Sequence, residues 1–239
     1  MSEKSRATPA CFAGLYARFQ SPISTLDCGQ KCAPYNEHGA PFCCDTQHAV
    51  PTAYAAEWVY LQENTDLWHP WQAQTPQETE LLQAETPDGL HLIECQGHTR
   101  CQRDFRSMTC RAFPFFPYFT SDGDFIGLSY YWEYEDRCWV ISNLSQVSLT
   151  YREEFIQVYE ELFRYLPEER DNFANHSAHM RRVFEGKQRT IPVLHRDGGC
   201  YKVSPRSEKM KKVSVETLPV FGPYRIAAQL PFPDEMVER

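Results

Sequence analysis

The stretch DCGQKCAPYNEHGAPFCCD, residues 27–45, places Cys28, Cys32, Cys43 and Cys44 close together in an ordinary-sized chain. Thiols this dense cross-link a small fold, hold a metal, or react as a pair, and each outcome implies a different architecture. The remaining totals narrow the choice. With 239 residues the chain can bury a sizeable core, so it does not need cross-links merely to fold. A hydrophobic share of 42% and a charged share of 23% belong to a globular protein. The net charge of −8 argues against broad electrostatic capture of nucleic acid, and no nucleic-acid partner is expected. No run of eighteen apolar residues occurs, so no membrane span is expected. The opening MSEKSRATPACFAGLYARFQ lacks the apolar region of a secretory signal, which points to the cytoplasm. In that reducing compartment, clustered thiols bind metal or do redox chemistry rather than form stable disulfides.

Outward from residue 45 the cysteines continue as Cys95, Cys101, Cys110 and Cys138, while Cys11 and Cys200 stand apart near the two ends. Residues 1–147 read as a cysteine-organised metal-binding core. Residues 148–239 read as a helical pair with a short-stranded C-terminal part, the two packed as one unit. The fold class expected is α+β. TAYAAEWVYLQEN (52–64) has Tyr54, Trp58 and Leu61 at helical spacing. A short helix started at Pro76 or a loop follows, then a Pro87-Asp88-Gly89 turn. LHLIECQG reads as a strand delivering Cys95. FIGLSYYWEY and DRCWVIS read as an antiparallel pair of strands, the first entered through the turn TSDGDF. SLTYREEFIQVYEELFRYL is an amphipathic helix with Thr150 and Glu153 as a capping box, and Pro167 stops or bends it. A second helix ends at Gly186, and TIPVL, CYKVS and KVSVETLPVF are short strands around the turn RDGG.

The cysteine spacings are C-x3-C-x10-C-C, then C-x5-C-x8-C, then a gap to Cys138. None is the C-x2-C knuckle of small zinc modules. Zinc and iron–sulfur clusters each usually take four thiolate ligands, so eight cysteines could supply two sets, or one set with spare thiols. Adjacent Cys43 and Cys44 are expected to diverge, one ligating while its neighbour faces a second site, another thiol or the core. Arg100, Arg103, Arg106 and Arg111 surround Cys101 and Cys110 with Asp104 as the single acid between them. Such cations favour thiolates and offset the charge of a thiolate-ligated group. Phe113, Phe115, Phe116 and Phe119, around Pro114 and Pro117, read as hydrophobic core. His38, His48, His91 and His98 lie near the cysteines and could replace a thiol as ligand, although a surface role suits each one singly. His176 and His179 lack the acid of an H-E-x-x-H motif. P-loop, G-x-G-x-x-G and G-x-S-x-G signatures are missing from the sequence.

The doublet Cys43–Cys44, the pair Cys95 and Cys101, the element CRAFP at 110–114 and the later Cys138 together resemble the CxxCxxCC cysteine-cluster family, the YkgJ-like putative zinc- or iron-chelating proteins. The resemblance covers roughly residues 25–142, and CRAFP is its most specific part. The first group is stretched relative to the family pattern, and the family's Arg-Pro stands here as Arg106-Ser107. The resemblance implies a metal site formed by Cys28, Cys32, Cys43, Cys44, Cys95, Cys101, Cys110 and Cys138, with Arg106 and Arg111 supporting it. A 4Fe–4S type iron–sulfur cluster is favoured slightly over zinc. Some relatives look like a lysine methylase acting on flagellin, which implies a protein-modifying enzyme with a protein substrate as one alternative. A thiol redox or metal-delivery protein is another.

Overall fold

A computed structural model describes residues 7–73, 75–87 and 89–227. The termini of both expected segments, and Asp88 of the expected Pro-Asp-Gly turn, lie outside the described residues. The chain is α+β. It begins with α1 (Pro9–Arg18) and the single-turn α2 (Cys28–Cys32), followed by β1 (Thr52–Tyr54), α3 (Ala55–Asn64), β2 (Trp68–Pro70), α4 (Pro76–Glu85) and β3 (Leu90–Cys95). Next come α5 (Met108–Ala112), β4 (Phe115–Phe119), β5 (Phe125–Tyr130), α6 (Trp139–Ser142), α7 (Leu149–Tyr165) and α8 (Pro167–Gly186). The chain closes with β6 (Ile191–His195), β7 (Cys200–Val203), β8 (Met210–Val213) and α9 (Tyr224–Ala227).

Two antiparallel sheets organise these elements. The smaller has the order β1-β3-β2, so β3 is central and carries Cys95 out at its end, opposite Trp68. The larger has the order β4-β5-β6-β7-β8. Its β5–β6 pairing joins strands from either side of residue 148. Helix α8 packs on β4 and β6, and α7 packs on α8, α1 and β5. One buried cluster runs through both sheets and the long helices, from Phe12 and Leu61 to Phe155 and Val203.

Several expectations change. The segment 52–64 is helical only from Ala55; its first three residues pair with β3 instead. The segment DRCWVIS is not a strand. Its Trp139–Ser142 portion is a helical turn, and β5 takes β4 and β6 as partners. The phenylalanine run forms β4, with every residue buried. Pro117 is tolerated there because β4 is an edge strand, where a missing N–H costs no ladder bond on the open side. Helix α7 is capped by Ser148, whose hydroxyl accepts from the Tyr151 amide at 3.2 Å, rather than by Thr150.

Near the C-terminus the chain returns to the cysteine region. The Phe221 amide donates to Ser142 Oγ at 2.8 Å, and Tyr224 Oη donates to the Arg137 carbonyl at 2.6 Å. Gly222, at φ +52°, lies against the Asp136 backbone, where a Cβ would collide. Tyr224 then buries itself with Cys32 and Phe42.

Candidate metal centre

The thiols are delivered by separate local devices. Asp27 caps α2, its Oδ1 accepting from the Gly29 and Gln30 amides at 2.9 and 3.2 Å. That single turn sets Cys28 and Cys32 on one helix face, four residues apart. A 3-10 turn over Phe42–Cys44 follows, and the Cys43 and Cys44 sulfurs stand 3.9 Å apart. Cys95 ends β3, and Gly97 at φ +92° redirects the chain toward Cys101. Ser107 caps α5 by accepting from the Cys110 amide at 3.2 Å, which fixes Cys110 inside that turn. Cys138 immediately precedes α6.

Charge on Cys110 is disfavoured by Cys44, Cys95 and Cys101, and charge on Cys138 by Cys28 and Cys32. Cys43 feels Cys44 and Cys110 from one side and Cys138 from the other. All ten cysteines are free. Cys11 lies apart beside Thr8, and Cys200 is a buried residue of β7, the ordinary packing role of a small apolar side chain.

Arg106 sits among the sulfurs. Its Nε donates to Cys101 Sγ at 3.0 Å, and its charge acts on Cys28, Cys44 and Cys110. Burial alone would weaken its proton affinity, but Cys110, Cys101 and Cys44 raise it above the ordinary arginine range. Arg111 is placed differently. Its guanidinium donates to the carbonyls of Phe19, Asp104 and Arg106 at 2.5, 2.7 and 2.8 Å, and stacks over Tyr16. It therefore ties α1 to the loop carrying Cys101 and donates to backbone rather than to sulfur.

Desolvation outweighs the nearby cation for most of the thiols. Burial raises Cys28 and Cys95, pushes Cys32 up to about 11, and pushes Cys110 and Cys138 up to about 12. The Cys43–Cys44 pair splits. Their mutual hydrogen bond holds Cys43 neutral and lowers Cys44, which Arg106 lowers further. A protein interior cannot hold eight unpaired thiolates, so neutral thiols are what this donor set requires until cations replace the protons.

Cys43, Cys44, Cys95, Cys101 and Cys110 line a cavity of about 100 Å³ with Arg106 in its wall. A second cavity of about 260 Å³ shares Cys43 and Cys110 and is walled on one part by rings, including Phe113, Tyr131, Tyr134, Tyr159 and Phe173, and on the rest by small residues such as Ala49, Thr52 and Thr109. Among the described residues, no three cysteine sulfurs lie mutually within 4.8 Å. Tetrahedral zinc, with Zn–S of about 2.3 Å, needs sulfurs about 3.8 Å apart. The chemistry of the donor set, thiols around a buried guanidinium, fits a thiolate-ligated group.

Two features escaped sequence reasoning. Glu57 is fully buried, accepting from Tyr16 Oη at 2.5 Å and from the Met108 and Tyr54 amides at 2.6 and 3.1 Å. Nothing in a local sequence window marks it, because its partners come from three separate segments. The other is Asp45, which joins the two nearby histidines. His38 Nδ1 lies 2.6 Å from Asp45 Oδ2, and His48 Nε2 lies 3.9 Å from the same oxygen. Burial alone would raise Asp45, yet hydrogen bonds from Asn36, His38 and the Gln47 amide bring it down to about 2. The sequence signal was available, since Asp45 stands between His38 and His48. His91, by contrast, packs against Trp58. Among the described residues, no helix is long and apolar enough to cross a membrane. No family model, curated protein or solved structure matches the chain.

Proposed function

We propose that the chain is a metal-binding cysteine-cluster protein of the CxxCxxCC type, in which Cys28, Cys32, Cys43, Cys44, Cys95, Cys101, Cys110 and Cys138 hold an iron–sulfur cluster of 4Fe–4S type in preference to zinc. The observation that supports the reading is a cavity lined by the free thiols of Cys43, Cys44, Cys95, Cys101 and Cys110 with Arg106, which donates to Cys101 Sγ at 3.0 Å. Arg106 donates to a ligand sulfur and offsets negative charge, while Asp27 and Ser107 hold two of the ligand-bearing turns in place. Such a group, when bound, would supply either a structural cross-link or an electron-accepting centre. Ten free thiols suit a reducing compartment, and the cytoplasm is the location proposed.

Anaerobic purification and reconstitution test the proposal. The expected result is broad absorbance near roughly 400 nm, where sulfur-to-iron charge transfer falls, with acid-labile sulfide accompanying the iron. Stoichiometric zinc without sulfide would replace iron–sulfur by zinc. A protein holding neither metal would end the proposal.

A second reading rests on the partly ring-walled cavity that shares Cys43 and Cys110 with the thiol set. A cavity of that composition beside a metal group suits a modifying enzyme of methylase type, which would admit a side chain of a protein substrate. S-adenosylmethionine should then raise the melting temperature of the reconstituted protein. An unchanged melting temperature counts against it.

A further inference from the structure

We propose that His38, Asp45 and His48 form a second cation site, built from nitrogen and oxygen donors and taking a first-row divalent ion such as zinc or ferrous iron. One ring nitrogen of each histidine and one carboxylate oxygen lie mutually within 4.8 Å. Zinc binds such donors at about 2.0–2.2 Å, which places ligand atoms roughly 3.4 Å apart. The observed separations from Asp45 Oδ2, 2.6 Å to His38 and 3.9 Å to His48, bracket that figure. Two imidazoles and a carboxylate suit zinc and ferrous iron, whereas the thiols nearby favour softer coordination.

The site is built rather than accidental. Gln47 donates its amide to Asp45 Oδ1 at 3.0 Å, which turns Oδ2 toward the histidines. Asn36 Nδ2 donates to that Oδ2 at 3.0 Å and to the Ala40 carbonyl at 2.9 Å, closing the loop on which His38 sits. The Asn36 side-chain oxygen also accepts from the His38 amide at 3.1 Å. His48 is held by its amide on the Asp45 carbonyl at 2.9 Å, by Tyr134 Oη on its own carbonyl at 2.6 Å, and by the edge of Phe42.

An ordinary surface ion pair accounts for His38 and Asp45 alone. It leaves His48 Nε2 buried with no hydrogen-bond partner, facing the same carboxylate oxygen. A buried nitrogen without a partner is destabilising, and a cation removes that cost while drawing the three donors together. Exposure decides the character of the site. The Asp45 and His48 side chains are 9% and 19% exposed, but His38 is 38% exposed, so the ion would keep coordination positions open on the solvent side. Those positions would admit water or an oxygen ligand. Glu37, whose carboxylate lies 3.7 Å from His38 Nε2, adds negative potential at that entrance.

Cobalt(II) added to the full chain after anaerobic reconstitution tests the proposal by proton magnetic resonance. Thiolate ligation gives sulfur-to-cobalt charge-transfer absorbance, whereas histidine ligation gives exchangeable, strongly shifted ring N–H signals. Two such signals are expected, saturating with one equivalent of cobalt that adds no sulfur band. His38→Ala, at an exposed position where folding is not at risk, should remove one signal and weaken that binding tenfold or more. His48→Asn should remove the other. Absence of shifted histidine signals in the wild type overturns the proposal, and so does their persistence in both variants. A water bridging His48 to Asp45 would meet the same buried need and give the first of these results. Thiols left empty take cobalt first and show the sulfur band, so the histidine signals are counted after that band has saturated.

Discussion

Glu57 is the residue on which three segments agree. It takes hydrogen bonds from α1 through Tyr16, from β1 through the Tyr54 amide and from α5 through the Met108 amide. All three partners donate, so the position needs an acceptor on both oxygens. Above pH 7, where the carboxylate is ionised, Glu57→Gln places an amide NH2 against at least one donor and should cost about 2–3 kcal/mol, read by urea denaturation. Arg106 is the comparable residue among the thiols. Arg106→Ala should leave the fold intact and weaken metal affinity about 10–100-fold, the usual effect of removing a partner that orients or neutralises a ligand, measured by chelator competition. At this scale the sequence was informative where chemistry is repeated and silent where it is solitary. Repeated cysteines beside arginines pointed to a site, and five of those thiols line one cavity with Arg106. A single glutamate such as Glu57 carries no such mark, since its role depends on partners up to 51 positions away.

Among elements, the larger sheet depends on one close approach. Gly127 in β5, at φ +153°, lies so near the Leu194 carbonyl and His195 Cα of β6 that a Cβ there would overlap backbone. Gly127→Ala should therefore lower stability by about 2 kcal/mol or more, with loss of cooperativity in thermal unfolding, because neither strand can retreat without breaking its ladder. Ser148→Ala removes the cap of α7 and should cost about 1 kcal/mol by the same measurement. Helices α7 and α8 were readable because their apolar positions recur with one period over many residues. The segment around Cys138 was not. Its run Cys-Trp-Val-Ile has the composition of a strand, but it lies between two 3-10 turns and is pinned by Phe221 through Ser142, contacts no local pattern displays. Likewise β4 carries Pro117 and follows Pro114, and its edge position lets it pair as a strand.

For the whole molecule, two buried groups give stability opposing dependences on pH. Burial pushes Glu57 up to about 7, so the native state keeps a proton that the unfolded state loses above about 4.5. Its contribution is fully present below that value and is lost as pH rises to 7. His176, among the rings of Phe116, Tyr131 and Trp132, is lowered by burial to about 4. Its contribution is present above about 6.5 and is lost as pH falls to 4, with a size of roughly 3 kcal/mol. His176→Leu should remove the rise in melting temperature between pH 4 and 6.5 and leave the decline from about 4.5 to 7 caused by Glu57. The α+β class was legible as alternating periods, but the convergence of distant cysteines was legible only as a requirement of metal chemistry, without geometry. The return of the C-terminal segment onto the cysteine region adds a matter of timing. Arg137 and Tyr224 are 87 positions apart, and a ribosome adding about 5–20 residues per second needs about 4–17 s to cover that distance. Throughout that interval every thiol of the set has been made, yet the tyrosine that covers Cys32 has not. A nascent chain therefore passes through a stage in which its sulfurs are complete and one side of them stands open, a window in which a metal donor could reach them before the last turn shuts it.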